Sequence, residues 1–384
     1  MATMSAEERS LLRESVRRFV EKDYGFEQRQ SLARAGGFSA AHWRVFAELG
    51  WLGLNVPEAF GGLGGSAAEA AIVLEELGRG LVLEPFLAVA VLATQLVARA
   101  ATPQQAQALL EPVVSGESLL ALAHGEPAAR GQVARVETRA RRHGGGWVLN
   151  GVKSLVLAGP VADRLIVSAR TSGAVDAPDG ISLFLLRPDT PGLTQRIFKT
   201  VDGGRASELA LAGVELGPEA LLGAVGDAYP ALAAATAHAT IGICAEALGA
   251  MDQALWITRD YLRTRQQFGV PIGSFQALQH RMADMLVALE LARSMVERGI
   301  EAIDDPDPVS RDHAISAVKA QIGRSAKFIG AQAIQLHGGI GVTEEYVIGH
   351  YFKRLTLIES AFGNTHFHFQ RLAERLRQDA RAAA

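Results

Sequence analysis

Hydrophobic and polar positions follow three successive patterns along the chain. Residues 1–120 repeat apolar positions at helical spacing, residues 121–226 contain short apolar runs separated by glycine, proline and aspartate, and residues 227–384 return to long helical patterns. Because the strand-like runs follow one another without helices between them, they predict an antiparallel rather than a parallel arrangement. The chain is therefore predicted to be mainly α-helical with a β middle domain: an N-terminal helical domain (1–120), a middle β domain (121–226) and a C-terminal helical bundle (227–384).

Helix boundaries are predicted by small polar residues and by glycine or proline. The first helix carries its apolar positions on one face: Leu11, Leu12, Val16, Phe19 and Val20. Ser66, Ser274 and Ser310 are predicted to cap three later helices, because a serine side chain accepts a hydrogen bond from a free N–H of the first turn. A long helix is predicted to begin near residue 228 and to end with a glycine cap at 268–271, and another to end at 338–341.

The middle domain is predicted to contain strands at 152–157, 164–169, 181–186 and 208–214. A further apolar run at 147–149 leads directly into Asn150 and Gly151. This dipeptide is typical of two-residue hairpin turns, so a hairpin is predicted there.

Composition and charge narrow the class of protein. The 384 residues are 48% hydrophobic and 21% charged with a formal net charge of −3, which is typical of a globular chain and excludes a broad nucleic-acid-binding surface. The single cysteine, Cys244, excludes a disulfide framework and a thiolate metal site. The most apolar stretches, 81–100 and 229–251, are interrupted by polar residues and are predicted to be buried core helices. No secretion leader is recognised, and we expect a soluble, cytoplasmic protein without a membrane or nucleic-acid partner.

Three clusters in the last third of the chain carry candidate chemistry. The first two comprise Arg265, Phe268, Gln276, Gln335, Gly338 and Gly339, and the third is the segment 352–364. An arginine pairs well with the oxygens of a diphosphate, and a glycine pair lets the backbone approach a ligand closely. Taken alone, each of the first two clusters is explained as well by an ordinary helix end.

Together these clusters resemble the acyl-CoA dehydrogenase family over nearly the whole chain. The matching segments are 48–65, 73–78, 265–276 and 335–339. The resemblance implies a helical N-terminal domain, an antiparallel β domain and a C-terminal four-helix bundle, usually in a tetramer that binds FAD and acyl-CoA. It also implies a reaction in which a carboxylate removes the α-proton while a β-hydride passes to the flavin. Electrons then leave to an electron-transferring flavoprotein.

A narrower resemblance links the chain to subunits of heteromeric members of this family. The segments 123–127, 244–251, 268–285 and 350–355 are similar to the small subunit of pimeloyl-CoA dehydrogenase and related subunits. The acyl group itself is not predicted, and dicarboxylyl, fatty, branched and steroid side-chain thioesters all remain open.

The family resemblance places the catalytic base at positions where this chain has no carboxylate. The position before a glycine near the chain end is Phe362, and the alternative position on an earlier helix is Ala239. Glu359 lies three residues before Phe362, and Glu246 lies two helical turns after Ala239. Both are candidate catalytic bases, and both have an ordinary structural explanation as paired carboxylates.

The middle domain also departs from the family pattern. The family loop Thr-Glu-Pro-Gly-x-Gly-Ser corresponds to 124–131, where the serine is missing, and the family strand Trp-x-Thr corresponds to 155–157. Leu157 has no hydroxyl to offer to a flavin ring. In the family, these elements hold the flavin ring of the same chain, whereas the clusters at 265–276 and 335–339 hold the adenosine diphosphate part of a neighbour's FAD.

This asymmetry leads to a hypothesis about assembly. The chain keeps the elements that are offered to a neighbour and lacks those that serve its own flavin, so it is predicted to complete the FAD site of a second family member in a heterotetramer. The predicted cofactor-binding residues are Arg265, Phe268, Gln276, Gln335, Gly338 and Gly339. Two alternatives stay open: a self-sufficient homotetramer that uses Glu359 or Glu246 as base, and a non-catalytic scaffold subunit.

Other polar residues give weaker signals. His337 is interpreted as a packing residue or a hydrogen-bond partner at a flavin edge. His366 and His368 lack carboxylates at ligand spacing, so no metal site is predicted. The segment 202–205 is interpreted as a β-turn in which Arg205 could contact a phosphate of acyl-CoA.

Overall fold

The computed structural model describes residues 4–382, and its backbone contacts divide them into two compact units. Unit 1 comprises residues 4–5, 32–70 and 83–239, and unit 2 comprises 6–31, 71–82 and 240–382. The helices are α1 (Ala6–Asp23), α2 (Phe26–Ala35), α3 (Ala40–Glu48), α4 (Ala67–Arg79), α5 (Thr94–Ala100), α6 (Pro103–Val114), α7 (Tyr229–Thr264), α8 (Gln276–Ala302), α9 (Pro308–His337), α10 (Ile348–Ser360) and α11 (Thr365–Ala382). A π-helical segment, Leu87–Ala93, leads into α5.

The strands of unit 1 form one eight-stranded sheet. They are β1 (Leu120–Ala123), β2 (Arg139–His143), β3 (Gly146–Leu157), β4 (Arg164–Arg170), β5 (Ile181–Leu186), β6 (Leu193–Lys199), β7 (Arg205–Leu216) and β8 (Leu221–Leu222). The order is β6-β7-β3-β2-β4-β5-β8, with β1 pairing with β4. The sheet is mostly antiparallel as predicted, although β1 pairs with β4 in parallel, and so does β2 at one position. The helical, β and helical order expected of the fold class is confirmed.

The hairpin predicted at Asn150 and Gly151 is wrong. Strand β3 runs straight through these residues, and the turn between β2 and β3 lies earlier, at Gly144 and Gly145, where both glycines have positive φ. A Cβ at Gly151 would lie 2.4 Å from the hydroxyl oxygen of Thr138, so this glycine allows a close approach of two backbone segments instead of forming a turn.

Two of the three predicted serine caps are also wrong. The Ser66 hydroxyl accepts a hydrogen bond from the Ala68 N–H at 3.2 Å and caps α4 as predicted. However, α8 follows Phe275 without a side-chain cap, and the Ser274 hydroxyl donates to a backbone carbonyl. Helix α9 is capped by Asp307, which is followed by a proline at the first helical position and therefore provides a stronger start than Ser310.

In α1 the predicted apolar face is only partly buried. Val16 and Phe19 are buried, whereas Leu11 is 59% exposed. The Leu11 side chain stays exposed although Arg13, in the same turn, pairs with Glu75 and Glu76 of α4.

Unit 2 is built around α7, and close backbone contact fixes its position against α4. A Cβ at Gly78 would lie 2.1 Å from the Glu246 carbonyl oxygen, and a Cβ at Gly249 would lie 1.8 Å from the Glu75 carbonyl oxygen. Two glycines therefore let the two helix backbones touch, one from each side. This contact sets the depth at which α7, and every residue along it, lies in the unit.

Both apolar stretches noted in the sequence form core helices. By length and composition, α7 is the one helix in the described chain that could cross a membrane, but most of its apolar window is buried inside the protein. All seven residues of the π-helical segment are buried as well. Burial against other protein elements explains both stretches, as the sequence predicted.

Candidate functional site

Helix α7 ends in a small exposed hairpin. Strands β9 (Gln266–Gln267) and β10 (Val270–Pro271) pair antiparallel, and Phe268 and Gly269 form the turn between them, both with positive φ. The predicted glycine helix cap is thus corrected to a hairpin turn. The Phe268 side chain is 92% exposed, and its ring meets the Phe275 ring edge-on with 6.3 Å between ring centroids. A phenylalanine held in left-handed backbone with its ring in solvent is a strained arrangement, which points to a contact outside this chain.

Three polar residues beside this hairpin are exposed to solvent: Arg265, Gln276 and Gln335. The backbone of Arg265 is fixed, because its N–H donates to the Tyr261 carbonyl and its carbonyl accepts from the Ile272 N–H, both at 2.8 Å. Within residues 4–382, the guanidinium of Arg265 forms no hydrogen bond or ion pair. A rigid backbone with an unpaired cationic head is suited to binding an external anion.

The two glycines after α9 face open space. Gly338 has a positive φ of 62°, and its N–H donates to the carbonyls of Gln335 and Ile334. Gly339 has no positive φ, and a Cβ there would meet no atom within 4 Å. Neither backbone conformation nor internal packing requires a glycine at position 339. The open space in front of Gly339 would let an external ligand approach the backbone closely.

The structure brings these two clusters together through two aromatic side chains. The rings of Tyr261 and His337 stack with centroids 4.4 Å apart, and the Tyr261 hydroxyl donates to the His337 carbonyl at 3.3 Å. Tyr261 lies one turn before Arg265, and His337 directly precedes Gly338. The Arg265 hairpin and the Gly338 turn are therefore at the same end of unit 2. Sequence reasoning did not assign a role to Tyr261, although its spacing from Arg265 could have suggested one.

Both usual base positions lack a proton acceptor in the structure as in the sequence. Ala239 is fully buried in α7. Phe362 lies in the turn between α10 and α11 with a φ of 53°, and the His368 Nε2–H donates to its carbonyl at 3.0 Å. The buried Lys319 ammonium donates to the carbonyls of Glu359 and Gly363 at 2.9 and 3.0 Å. The turn is thus held rigidly, although the side chain that it presents is unreactive.

Glu359 and Glu246 are both paired with a cationic side chain, as expected of structural carboxylates. Glu359 accepts from the Thr365 N–H at 3.1 Å and pairs with Lys327 at 3.1 Å. Burial raises the pKa of Glu359, but these bonds outweigh burial and leave the pKa below its usual value. A general base for carbon acids needs the opposite shift.

Glu246 is 5% exposed and receives both Nε–H (2.7 Å) and Nη2–H (2.5 Å) bonds from Arg354. Its negative charge is therefore balanced by a cation held on α10. The role of either carboxylate as base stays a prediction, and the geometry favours two structural ion pairs.

The loop at the flavin-ring position of unit 1 is firmly anchored. Glu126 is buried and accepts from the Lys153 ammonium at 2.6 Å and from the Thr138 N–H at 3.0 Å. The Ser154 N–H donates to the Gly125 carbonyl at 2.8 Å, which attaches the loop to β3. The Lys153–Glu126 pair was missed from the sequence. A lysine inside an alternating strand, at a position that faces the core, was the available signal.

Lys153 also reaches a serine and histidine pair. Its ammonium donates to the Ser168 hydroxyl at 3.0 Å, and that hydroxyl lies 2.9 Å from the His124 Nδ1. Burial lowers the pKa of His124 to about 3, and Ser168 is fully buried. A histidine of such low basicity beside an inaccessible serine cannot activate a nucleophile, so this cluster stabilises the loop.

Strand β3, beside this loop, has a kinked backbone near its end. Strand β3 shifts its register against β7 between Lys153 and Val156, and Leu155 has a φ of 50° with a side chain 46% exposed. Leu157 follows in the position where the family has a threonine. The backbone kink therefore presents leucine side chains, which cannot donate a hydrogen bond.

Other candidate residues have local explanations. In the described part of the chain, no group of three or more histidine, cysteine or acidic residues is placed to hold a metal ion. The Thr200 hydroxyl donates to the buried Asp202 carboxylate at 2.5 Å and stabilises the turn before Arg205. The structure leaves the proposed phosphate contact of Arg205 a prediction.

Comparison with known proteins identifies the family. The models for the N-terminal, middle and C-terminal domains of acyl-CoA dehydrogenase match residues 6–117, 121–214 and 230–377. The chain belongs to the acyl-CoA dehydrogenase family, whose members are FAD-dependent oxidoreductases that act on a CH–CH bond of an acyl-CoA. The enzyme class, the fold and the FAD cofactor predicted from the sequence are confirmed at this level.

Particular relatives cover almost the whole chain. The probable acyl-CoA dehydrogenase YngJ of Bacillus subtilis is 30% identical, with 93% of this chain and 95% of that protein aligned. A variant of the Tcur3481-Tcur3483 steroid ACAD is 31% identical with a TM-score of 0.86, covering 97% of this chain and 99% of that one. A chain of the ChsE4-ChsE5 complex from Mycobacterium tuberculosis is 27% identical with a TM-score of 0.87, covering 98% and 99%.

Proposed function

We propose that this chain is a subunit of a heteromeric FAD-dependent acyl-CoA dehydrogenase, in which it completes the FAD site of a second, catalytic family member. The observation that carries the proposal is the contrast between its two ligand-facing surfaces. Unit 2 presents an unpaired Arg265, an exposed Phe268 and an unneeded glycine at 339. Unit 1 presents Leu155 and Leu157 where the flavin ring would be held.

The residues at the end of unit 2 fit the nucleotide part of FAD. Arg265 supplies a guanidinium for the diphosphate, and Gly338 and Gly339 let the backbone approach it. Gln276 and Gln335 supply exposed amides that can donate to and accept from the sugar and phosphate oxygens. FAD, when bound, supplies the hydride acceptor for the α,β-dehydrogenation. The residues of this chain bind the nucleotide part of the cofactor and orient it.

The residues of unit 1 do not fit the flavin ring. Leu157 can donate no hydrogen bond, and Phe362 in unit 2 can take no proton from a substrate α-carbon. In the proposed complex, the base and the ring-binding strand both come from the partner. The electrons then pass to an electron-transferring flavoprotein.

Relatives that work as complexes support a two-protein arrangement. ChsE4 and ChsE5 form a complex, and the steroid ACAD is named for two proteins. Together with the segments similar to the pimeloyl-CoA dehydrogenase small subunit, these relatives support a heterotetramer as the proposed assembly. We propose a cytoplasmic location on the basis of the composition and the single cysteine.

The test is to purify the chain alone and with the family member encoded beside it, and to measure FAD per chain. The lone chain is expected to bind little FAD, and the complex is expected to hold FAD and turn over an acyl-CoA. Arg265→Ala in the complex should release FAD, because the diphosphate loses its cation. Arg263→Ala is the matched control, since Arg263 is an exposed arginine in the last turn of α7, two residues before Arg265, and should leave FAD in place.

Two results would overturn the proposal. Tight, stoichiometric FAD with full turnover by the lone chain would establish the self-sufficient enzyme. Unchanged FAD content in the Arg265→Ala complex would establish the scaffold role.

A further inference from the structure

The peptide group that leads into Gly338 is held at both of its polar atoms. Its carbonyl, from His337, accepts from the Tyr261 hydroxyl at 3.3 Å. Its N–H, from Gly338, donates to the carbonyls of Gln335 and Ile334 at the end of α9. The plane of this peptide is therefore fixed, and with it the direction in which the Gly338–Gly339 backbone leaves the helix.

The ring of His337 is held as firmly as its backbone. It is 3% exposed, and its Nδ1 lies 2.8 Å from the Ala333 carbonyl. A carbonyl only accepts hydrogen bonds, so Nδ1 carries the proton and the ring is in one defined tautomer. The ring stacks on Tyr261 at 4.4 Å, and the Tyr346 ring lies 5.2 Å from it. Three rings, from the end of α7, the end of α9 and the segment before α10, meet at this point.

We propose that Tyr261 and His337 are positioning residues for two exposed segments, which we call the Arg265 arm (residues 265–271) and the Gly338–Gly339 arm (residues 338–339). They hold the two arms at a fixed separation, so that both reach one FAD nucleotide. This inference rests on the proposed function. In this arrangement neither side chain contacts the ligand. Tyr261 acts through Arg265, and His337 acts through Gly338. Tyr261 precedes Arg265 by four residues, and its main-chain carbonyl accepts the Arg265 N–H. One residue therefore contacts the backbone on both sides: Arg265 through its main chain and His337 through its side chain.

The location of the rings favours this role over general packing. The backbone beyond Tyr261 becomes the exposed hairpin that contains Phe268, and the backbone beyond His337 becomes the exposed glycine turn. The aromatic contact therefore joins the two segments close to where each becomes exposed. A small rotation there would move the guanidinium and the glycine backbone apart.

The experiment uses the assembled complex and measures the FAD dissociation constant by flavin fluorescence, together with the melting temperature of the FAD-free complex. Tyr261→Phe keeps the ring stack and removes only the bond to the His337 carbonyl, so FAD should bind about fivefold more weakly. His337→Ala removes the stack and should weaken FAD binding about 50-fold, whereas His337→Phe keeps a stacked ring and should restore most of it. Tyr229→Phe, at the opposite end of α7, is the matched control and should change nothing.

The outcomes separate this inference from the proposed function. If Arg265→Ala releases FAD while Tyr261→Phe and His337→Ala do not weaken it, the positioning role is wrong and the proposed function stands. If none of the three affects FAD, the proposed function itself fails. A fall in FAD-free melting temperature that accounts for the whole loss of affinity would show that the rings only stabilise the fold, and would also overturn the inference.

Discussion

Replacing Glu246 by glutamine separates a structural carboxylate from a catalytic one. Glu246 is 5% exposed and receives two hydrogen bonds from Arg354, whose side chain is 20% exposed. Breaking a buried ion pair by removing one charge costs roughly 3–5 kcal/mol when the other charge is left without compensation. Glutamine keeps the shape and one acceptor, so it exchanges a charge-assisted bond for a neutral one. We expect Glu246→Gln to lower the free energy of unfolding by about 2 kcal/mol.

The assay has a stability arm and a turnover arm. Thermal unfolding of Glu246→Gln should shift downward by several degrees, while FAD content and turnover per folded complex stay unchanged. Arg354→Met and the double variant complete a mutant cycle. Since the two side chains share one interaction, the double variant should be clearly less destabilised than the sum of the single variants.

The opposite result would refute this reasoning. If Glu246→Gln melts at the same temperature as the unaltered protein, retains FAD and loses turnover a hundredfold or more, Glu246 is the base. Glu359→Gln provides the comparison, because its pairing with Thr365 and Lys327 also predicts lost stability and kept turnover.

Three further predictions concern buried or close-packed positions. Burial lowers the pKa of His368 to about 4, whereas its usual value is 6.5. Between pH 6.5 and pH 4 the unfolded chain therefore takes up a proton that the folded chain does not. As the pH is lowered through this range, the free energy of unfolding should decrease by about 1.4 kcal/mol per pH unit. His368→Gln can still donate to the Phe362 carbonyl and should remove this part of the dependence in denaturant titrations at pH 7 and 4.5; equal slopes in both proteins would contradict it. Gly249→Ala should destabilise severely in thermal unfolding, because its Cβ would lie 1.8 Å from the Glu75 carbonyl oxygen. Gly339→Ala, whose Cβ would meet nothing within 4 Å, should leave the melting temperature unchanged while weakening FAD binding in the complex; a large loss of stability would show an internal role instead.

Local sequence signals predicted the order of elements well and their boundaries less well. The dipeptide Asn150-Gly151 is a strong turn signal, yet it lies inside β3, because the close approach of Thr138 decides its conformation. Ser310 is a good cap residue, but α9 begins earlier, with Asp307 as its cap and Pro308 at its first position. In each case a tertiary contact or a stronger neighbour outweighed a correct local propensity.

The candidate site shows the same limit at longer range. The residues at the expected base and threonine positions are read directly from the sequence, and their roles stay predictions. The pairing of Glu246 with Arg354 joins residues 108 positions apart, and the aromatic contact of Tyr261 with His337 joins residues 76 positions apart. Such pairings follow from how the helices pack, which no local pattern encodes.

The backbone of the turn that contains Phe362 is held by residues other than Phe362. Lys319 and His368 hold the backbone of this turn, while the side chain of residue 362 contributes nothing to that hold. The same separation exists in unit 1, where Lys153 and Glu126 secure the loop while the half-buried Leu157 side chain lies at the end of β3. The groups that hold these two segments are thus separate from the side chains at positions 362 and 157. In the proposed heteromer, this separation would let one subunit change those side chains while its backbone keeps the same fold.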